Sequence, residues 1–252
     1  METLEKFEIE CDEISEQIKN IAKKRGSVAI DGVINPERYL KARHRVMWVL
    51  KEANAPDSPK TWSFSDIFQD EKWLLEKKCC SIGTIRRVIY ASYGILKTDN
   101  TKEMDDQEWL DWPEYRRKEC FDVLKEIAYI NIKKVPGGGR SNSSEIQEAY
   151  DEYHALLKKQ FEVYDPDIVI FGGTWNYIDL DDFKNIEGGE IKITDFNQES
   201  YAIKDKLFIN AYHPGWPRLG EGGDYSLDIV NIVRNWEKSK TEPNNKTLSQ
   251  FQ

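Results

Sequence analysis

The chain has 252 residues, of which 39% are hydrophobic, so it is long enough to form one globular domain with a buried core. Its formal net charge of −9 argues against indiscriminate binding to nucleic acid, although an acidic protein can still carry a locally basic groove. Its apolar runs are shorter than a membrane span, and its acidic start lacks the basic and apolar regions of a signal peptide. We therefore expect a cytoplasmic protein that does not enter a membrane.

The cysteines argue against a metal centre. They are Cys11, Cys79, Cys80 and Cys120, and no two of them form a C-x-x-C pair. Adjacent cysteines such as Cys79 and Cys80 cannot easily hold one metal ion together. We therefore predict buried thiols, with no metal, no iron–sulfur cluster and no other cofactor.

The first predicted element is an amphipathic helix within residues 1–26. Its apolar side chains recur every three or four residues, and Gly26 ends the pattern. The apolar positions are Leu4, Phe7, Cys11, Ile14, Ile18 and Ile21. We expect this helix to pack on the rest of a monomer. The alternative is a dimer seam, for which a stripe of about three heptads is close to the minimum length.

Four short apolar runs predict strands that are buried on both faces of a sheet. They span residues 46–50, 127–132, 168–171 and 207–212. Helical patterns cover residues 73–96, 112–126 and 143–164, the last with Ser143 or Ser144 as its N-cap. Because strands alternate with helices, we predict an α/β domain over residues 27–237, with three layers (α/β/α) around a central four-stranded parallel sheet. Residues 185–200 read as an irregular hairpin or loop, and residues 238–252 as a polar, disordered tail.

Ligands of parallel α/β sheets bind beyond the carboxyl ends of the strands. Four segments that include or follow the ends of the predicted strands resemble motifs of the uracil-DNA glycosylase superfamily. They are Lys51–Pro56 (KEANAP), Tyr129–Asn142 (YINIKKVPGGGRSN), Tyr164–Gly173 (YDPDIVIFGG) and Tyr212–Pro217 (YHPGWP). Over residues 45–235 the chain is similar to a divergent member of that superfamily. The resemblance implies its α/β/α fold and a DNA glycosylase, which flips out a base and hydrolyses its N-glycosidic bond to leave an abasic site.

Three departures from the family pattern lie in the substrate site. Lys51 stands where the family has Gly, Ala53 where its best-known members have Asp, and Gly215 where the H-P-S motif has Ser. The small side chains of Ala53 and Gly215 suggest a roomier site, which favours a modified or damaged base over plain uracil. Some relatives attack hypermodified cytosines in phage DNA, so antiviral defence is an expectation by analogy.

The resemblance assigns catalytic roles to Glu52, Asn54 and His213. His213 would donate a hydrogen bond to the departing base, and either Glu52 or Asn54 would position the attacking water. The alternative is that Glu52 or Asn54 caps the following turn and that His213 is a structural turn residue.

The predicted base pocket consists of Ala53, Trp62, Phe64 and Asn131. Trp62 or Phe64 would stack on the base, the alternative being ordinary core packing. Asn131 would read the base edge, or it would be a core amide bonded to backbone. In either case a buried amide is expected to have a hydrogen-bond partner.

The predicted nucleic-acid contacts fall in two loops. Lys133, Lys134, Gly138 and Arg140 would cradle a phosphate, the alternative being a flexible surface loop. Trp216 and Arg218 would fill the gap that a flipped nucleotide leaves in single- or double-stranded DNA.

Two other functions compete with base excision from DNA. One is hydrolysis of a free nucleoside or nucleotide, which the acidic net charge favours. The other is a catalytically inactive nucleic-acid-binding module that retains only the fold.

Overall fold

A computed structural model describes most of the chain. The described residues are 3–55, 60–76, 82–98, 121–179, 191–193, 199–203, 205–219 and 223–241. The strands are β1 (Ala29–Ile30), β2 (Gly32–Val33), β3 (Val46–Asn54), β4 (Trp62–Ser63), β5 (Ile127–Gly137), β6 (Ile168–Gly172), β7 (Ile191–Ile193), β8 (Glu199–Ile203) and β9 (Lys206–Ala211). The helices are α1 (Leu4–Arg25), α2 (Pro36–Lys41), α3 (Phe64–Gln69), α4 (Glu71–Glu76), α5 (Gly83–Lys97), α6 (Ser143–Tyr164) and α7 (Gly223–Thr241).

One mostly parallel sheet organises the described residues. Its strands follow the order β2-β5-β3-β6-β9-β8-β7, and the four in the middle, β5-β3-β6-β9, are parallel to one another. These four are the predicted strands, so the parallel core of the sheet is confirmed. The sheet is larger than predicted, because antiparallel β2 extends one edge and the antiparallel strands β8 and β7 extend the other.

Helices cover both faces of the sheet, which gives a three-layer α/β/α arrangement. Alternate side chains of β3 point to opposite faces: Trp48 and Leu50 join a cluster with α3, α4, α5 and α7, whereas Met47 and Val49 join one with α1, α2 and α6. Burial of both faces explains why these strands read as continuous apolar runs rather than as alternating ones.

The N-terminal helix matches its predicted span closely. Thr3 caps its start, and it ends at Gly26, whose φ of 91° is a conformation that glycine adopts without strain. Its buried side chains Phe7, Cys11, Ile14 and Ile18 pack in the same cluster as α6. The stripe is therefore used for packing within the chain.

Several predicted boundaries differ from the structure. The cap of α6 is Asn142, whose Oδ1 accepts a hydrogen bond from the Ser144 N–H at 3.0 Å, and not Ser143 or Ser144. The predicted helix over 73–96 is represented by α4 and α5, while the described end of the one over 112–126 includes a 3-10 turn at Val123–Glu126. Within residues 185–200, β7 and the start of β8 form an antiparallel pair, as a hairpin requires. The predicted tail begins too early, because α7 continues to Thr241.

Some expectations lie outside the described residues. They concern residues 77–81, 99–120 and 242–252, and with them Cys79, Cys80 and Cys120.

Candidate active site

A cavity of about 720 Å³ opens at the carboxyl end of β3. The last residues of β3 pair with β5 alone, since its register with β6 ends at Val49, so they extend beyond the neighbouring strand. The lining includes six of the predicted site residues: Glu52, Ala53, Asn54, Trp62, Phe64 and His213. Segments separated by up to 161 residues in the chain are thereby brought into one cavity.

Aromatic rings form one wall of this cavity. Phe64 lies at its centre, with ring centroids 4.7 Å from Trp62 and 4.7 Å from Tyr129. Phe68 and Trp73 also line the cavity. Burial raises the pKa of the Tyr129 phenol above its ordinary value, so the ring stays uncharged even at moderately alkaline pH. The wall can stack on a planar ligand. Tyr129, Phe68 and Trp73 were not predicted as site residues: Tyr129 lies in an apolar strand, Phe68 and Trp73 lie in a polar segment, and neither pattern distinguishes a pocket ring from core packing.

Glu52 is held in a fixed position at the cavity. Its side chain is only 4% exposed, and its Oε2 lies 2.8 Å from Lys133 Nζ, which also contacts Glu145 at 2.7 Å. The backbone of Gly137 passes so close that any Cβ at this position would collide with the Glu52 carboxylate. Burial lowers the pKa of Lys133, but its bonds to Glu145 and Glu52 outweigh that effect and raise the pKa overall. The carboxylate therefore faces the cavity with a charged partner.

His213 is a neutral hydrogen-bond donor. Burial first, and then the positive charge of Lys51, lower its pKa from 6.5 to about 4, so the ring is uncharged at neutral pH. The Gly215 N–H donates to Nδ1 at 3.0 Å, which makes Nδ1 the acceptor and places the proton on Nε2. Within the described residues Nε2 has no hydrogen-bond partner. A donor of fixed tautomer is thus available to a ligand.

The loop that carries His213 is secured by two helices. Arg87 of α5, which is 4% exposed, donates from Nη1 to the Pro214 carbonyl, and the Tyr225 hydroxyl of α7 donates to the Tyr212 carbonyl at 2.8 Å. Gly172 lets the loop approach the sheet, because a Cβ there would lie 2.9 Å from Pro214 Cδ and would also collide with the Leu50 side chain. Sequence reasoning missed Arg87, which carries no local signal of its role.

Gly215 does not enlarge the site, contrary to expectation. A Cβ at residue 215 would lie 2.5 Å from Thr84 Oγ1 and 3.1 Å from His213 Nδ1, so the space is already occupied. Thr84 belongs to α5 and lines the same cavity. The sequence has no serine at the motif position, but the Thr84 hydroxyl occupies the space beside Gly215.

Asn131 is buried next to the cavity with an unpaired amide. It faces the same side of the sheet as Tyr129 and pairs in register with Leu50, and both of these residues line the cavity. It is 1% exposed, yet neither Oδ1 nor Nδ2 has a hydrogen-bond partner among the described residues. The expected partner is therefore not found there. An unsatisfied buried polar group costs about 1–3 kcal/mol.

The predicted phosphate cradle is only partly accessible. Lys134 is wrong as a phosphate contact: it is 0% exposed and bonds Asp31, the Asn131 carbonyl and Gln160, each at 2.8 Å. β5 continues through both lysines, so successive side chains point to opposite faces and Lys134 enters the α1–α6 side. Lys133 contacts two carboxylates.

The remaining predicted nucleic-acid contacts are at the surface. Gly138 and Arg140 are exposed in the loop that follows β5. Trp216 is 36% exposed, and Arg218 lies over its ring with the guanidinium carbon 5.8 Å from the centroid. These positions allow contact with a large ligand.

Comparisons with protein-family models and with curated proteins find no match to this chain.

In the parts of the chain that the structure describes, no group of three or more His, Cys, Asp or Glu side chains is arranged to hold a metal ion. No helix there is long and apolar enough to cross a membrane.

Proposed function

We propose that this chain is a DNA glycosylase of the uracil-DNA glycosylase type that hydrolyses the N-glycosidic bond of a non-standard base. The observation that carries the proposal is the neutral His213 with its proton on Nε2, in one aromatic-walled cavity with Glu52 and Asn54. The motif resemblance at the ends of the four parallel strands supports the same assignment.

The chemistry of the bond explains why these groups suit it. When an N-glycosidic bond breaks, negative charge develops on the base and positive charge on the sugar. A preorganised neutral donor such as the Nε2–H of His213 stabilises the charge on the base without requiring a protonated imidazole. The carboxylate of Glu52 stabilises the sugar cation and accepts a proton from water, or the Asn54 amide orients that water.

The cavity also has the features needed to hold a flipped base. Its rings can stack on the base. The Asn131 amide is buried beside the cavity and is not part of its lining, and its Oδ1 and Nδ2 have no partner among the described residues, so both would be available to a base edge that reached them. At about 720 Å³ it lies in the upper part of the roughly 300–1,000 Å³ range of small-molecule sites. A base with a bulky substituent, such as a hypermodified cytosine, fits that size.

Hydrolysis of a free nucleoside or nucleotide is the second candidate. It is favoured by the positions of Lys133 and Lys134, because one is paired with two carboxylates and the other is buried. With a net charge of −9, the chain then has fewer cations than expected to neutralise a phosphate backbone.

The test is a panel of oligonucleotides that carry uracil, hypoxanthine or modified cytosines, with strand scission by alkali as the readout of abasic sites. The same bases are supplied as free nucleosides, and base release is followed by chromatography. We expect scission with the wild type and with His154→Ala, a histidine outside the cavity, and its loss with His213→Ala. Release from nucleosides alone would establish the second candidate, and DNA binding without release would indicate an inactive module.

A further inference from the structure

A second cavity, of about 490 Å³, lies on the other side of His213. Asn210 lines it from β9, on the face that carries Phe208 and the α1–α6 layer, so this cavity faces away from the aromatic wall of the first. The lining residues are Lys51, Gly173, Trp175, Asn176, Glu199, Asn210, Ala211, Tyr212, His213 and Trp216. Of these residues, the base excision described above uses His213, and the predicted gap-filling role uses Trp216.

Lys51 supplies this cavity with a positive charge. Its Nζ lies 5.9 Å from the centroid of the Tyr177 ring, and among the described residues no carboxylate pairs with it. A lysine ammonium group that lies in a concave site and is not paired with a carboxylate is suited to bind a phosphate, because the phosphate oxygens can accept hydrogen bonds from its N–H groups.

Exposed aromatic rings lie beside that charge. Tyr212 is 45% exposed and Trp216 is 36% exposed, with ring centroids 4.8 Å apart and planes inclined by 32°. Trp175 is fixed by stacking on Tyr201, at 4.9 Å and 13°. Large exposed aromatic side chains are favourable stacking surfaces for nucleobases, irrespective of the base sequence.

Polar side chains complete the lining. Asn176 is exposed, and Glu199 accepts a hydrogen bond from Asn210 Nδ2 at 3.4 Å. Amide and carboxylate groups of this kind match the hydroxyl groups of a sugar and the edge of a base.

We propose that this second cavity binds a nucleoside monophosphate unit, with its phosphate at Lys51 and its ring on the Tyr212–Trp216 pair. Such a unit can be a nucleotide of a DNA strand or a free nucleotide, because both present the same phosphate and ring. The proposal does not depend on base excision, since it concerns binding at residues other than Glu52 and Asn54.

The test is binding of thymidine 5′-monophosphate, thymidine and inorganic phosphate to the full chain, measured by isothermal titration calorimetry. We expect thymidine to bind about tenfold or more weakly than its monophosphate, and Lys51→Gln to remove that difference. Lys24→Gln, at an exposed site in the last turn of α1, makes the same charge change and should leave binding intact.

A matched pair of exposed asparagines locates the ligand. Asn176→Ala removes a side chain of the second cavity and should weaken binding, whereas Asn54→Ala removes one from the first cavity and should not. Equal affinity for thymidine and its monophosphate, no binding of either, or a loss with Asn54→Ala but not with Asn176→Ala would overturn the proposal.

The source of the ligand is distinguished with a single-stranded oligonucleotide, followed by fluorescence anisotropy. If the unit belongs to a strand, Lys51→Gln weakens oligonucleotide binding together with monophosphate binding. If the site takes a free nucleotide, only monophosphate binding is lost. Neither measurement needs an active enzyme, so absence of base excision would refute the proposed function and leave this inference standing.

Discussion

The low pKa of His213 predicts a specific dependence of stability on pH. Because the folded-state pKa of about 4 lies below the ordinary 6.5, the unfolded chain binds a proton that the folded chain does not bind between these values. The contribution of His213 to the free energy of unfolding is therefore fully present above pH 6.5, and it is lost as the pH falls toward 4, because protonation then favours the unfolded chain. The complete shift corresponds to about 3 kcal/mol, of which about 2 kcal/mol is lost between pH 7 and pH 5.

His213→Asn is the perturbation that isolates this effect. The Asn side-chain oxygen can replace Nδ1 as acceptor for the Gly215 N–H, while the titrating group is removed. Urea unfolding at pH 7 and pH 5 measures the free energy of unfolding of both proteins. We expect the wild type to lose about 2 kcal/mol more than the variant between these pH values. The same loss in both would show that His213 is not held neutral by burial, and the donor role proposed for it would be withdrawn.

Three further outcomes follow from the structure. If the chain acts on DNA, Trp216→Ala should weaken action on paired DNA and largely spare a single strand, because only a duplex has a stack to hold open; equal loss on both would end the gap-filling role and leave Trp216 as a wall residue of the second cavity. Gly137→Ala should lower the stability by about 1–3 kcal/mol, since its Cβ collides with the Glu52 carboxylate, and unchanged urea unfolding would contradict that contact. Lys134→Met should cost about 3–5 kcal/mol by leaving Asp31 buried without its partner, and a stable variant would argue against the buried pair.

The regular elements could be read from the sequence because their signals are local. Four apolar runs and the three- and four-residue spacing in α1 and α6 reflect which face each element buries, and the structure places them accordingly. Motifs at strand ends were informative for a related reason. Strands that run parallel bring their carboxyl ends to one edge, so residues as distant as Glu52 and His213 line one cavity.

The prediction for Lys134 was wrong because a partner that is distant in the sequence decides whether its side chain is buried. The pair Lys133-Lys134 reads as the end of an apolar strand, but β5 continues because Asp31, 103 residues away, neutralises Lys134 in the interior. Residues 185–200 could be interpreted only as a hairpin or a loop, because the edge strands β7 and β8 are short; their antiparallel pairing favours the hairpin.

The sequence by itself determined the parallel core of the sheet and the positions of His213, Glu52 and Asn54 at strand ends, because periodicity and motif spacing are properties of a single segment. Only the tertiary structure decided which groups surround them. Thr84 fills the space beside Gly215, and Arg87 holds the loop at Pro214. Both belong to α5, whose own sequence specifies an amphipathic helix but not the loop against which that helix packs.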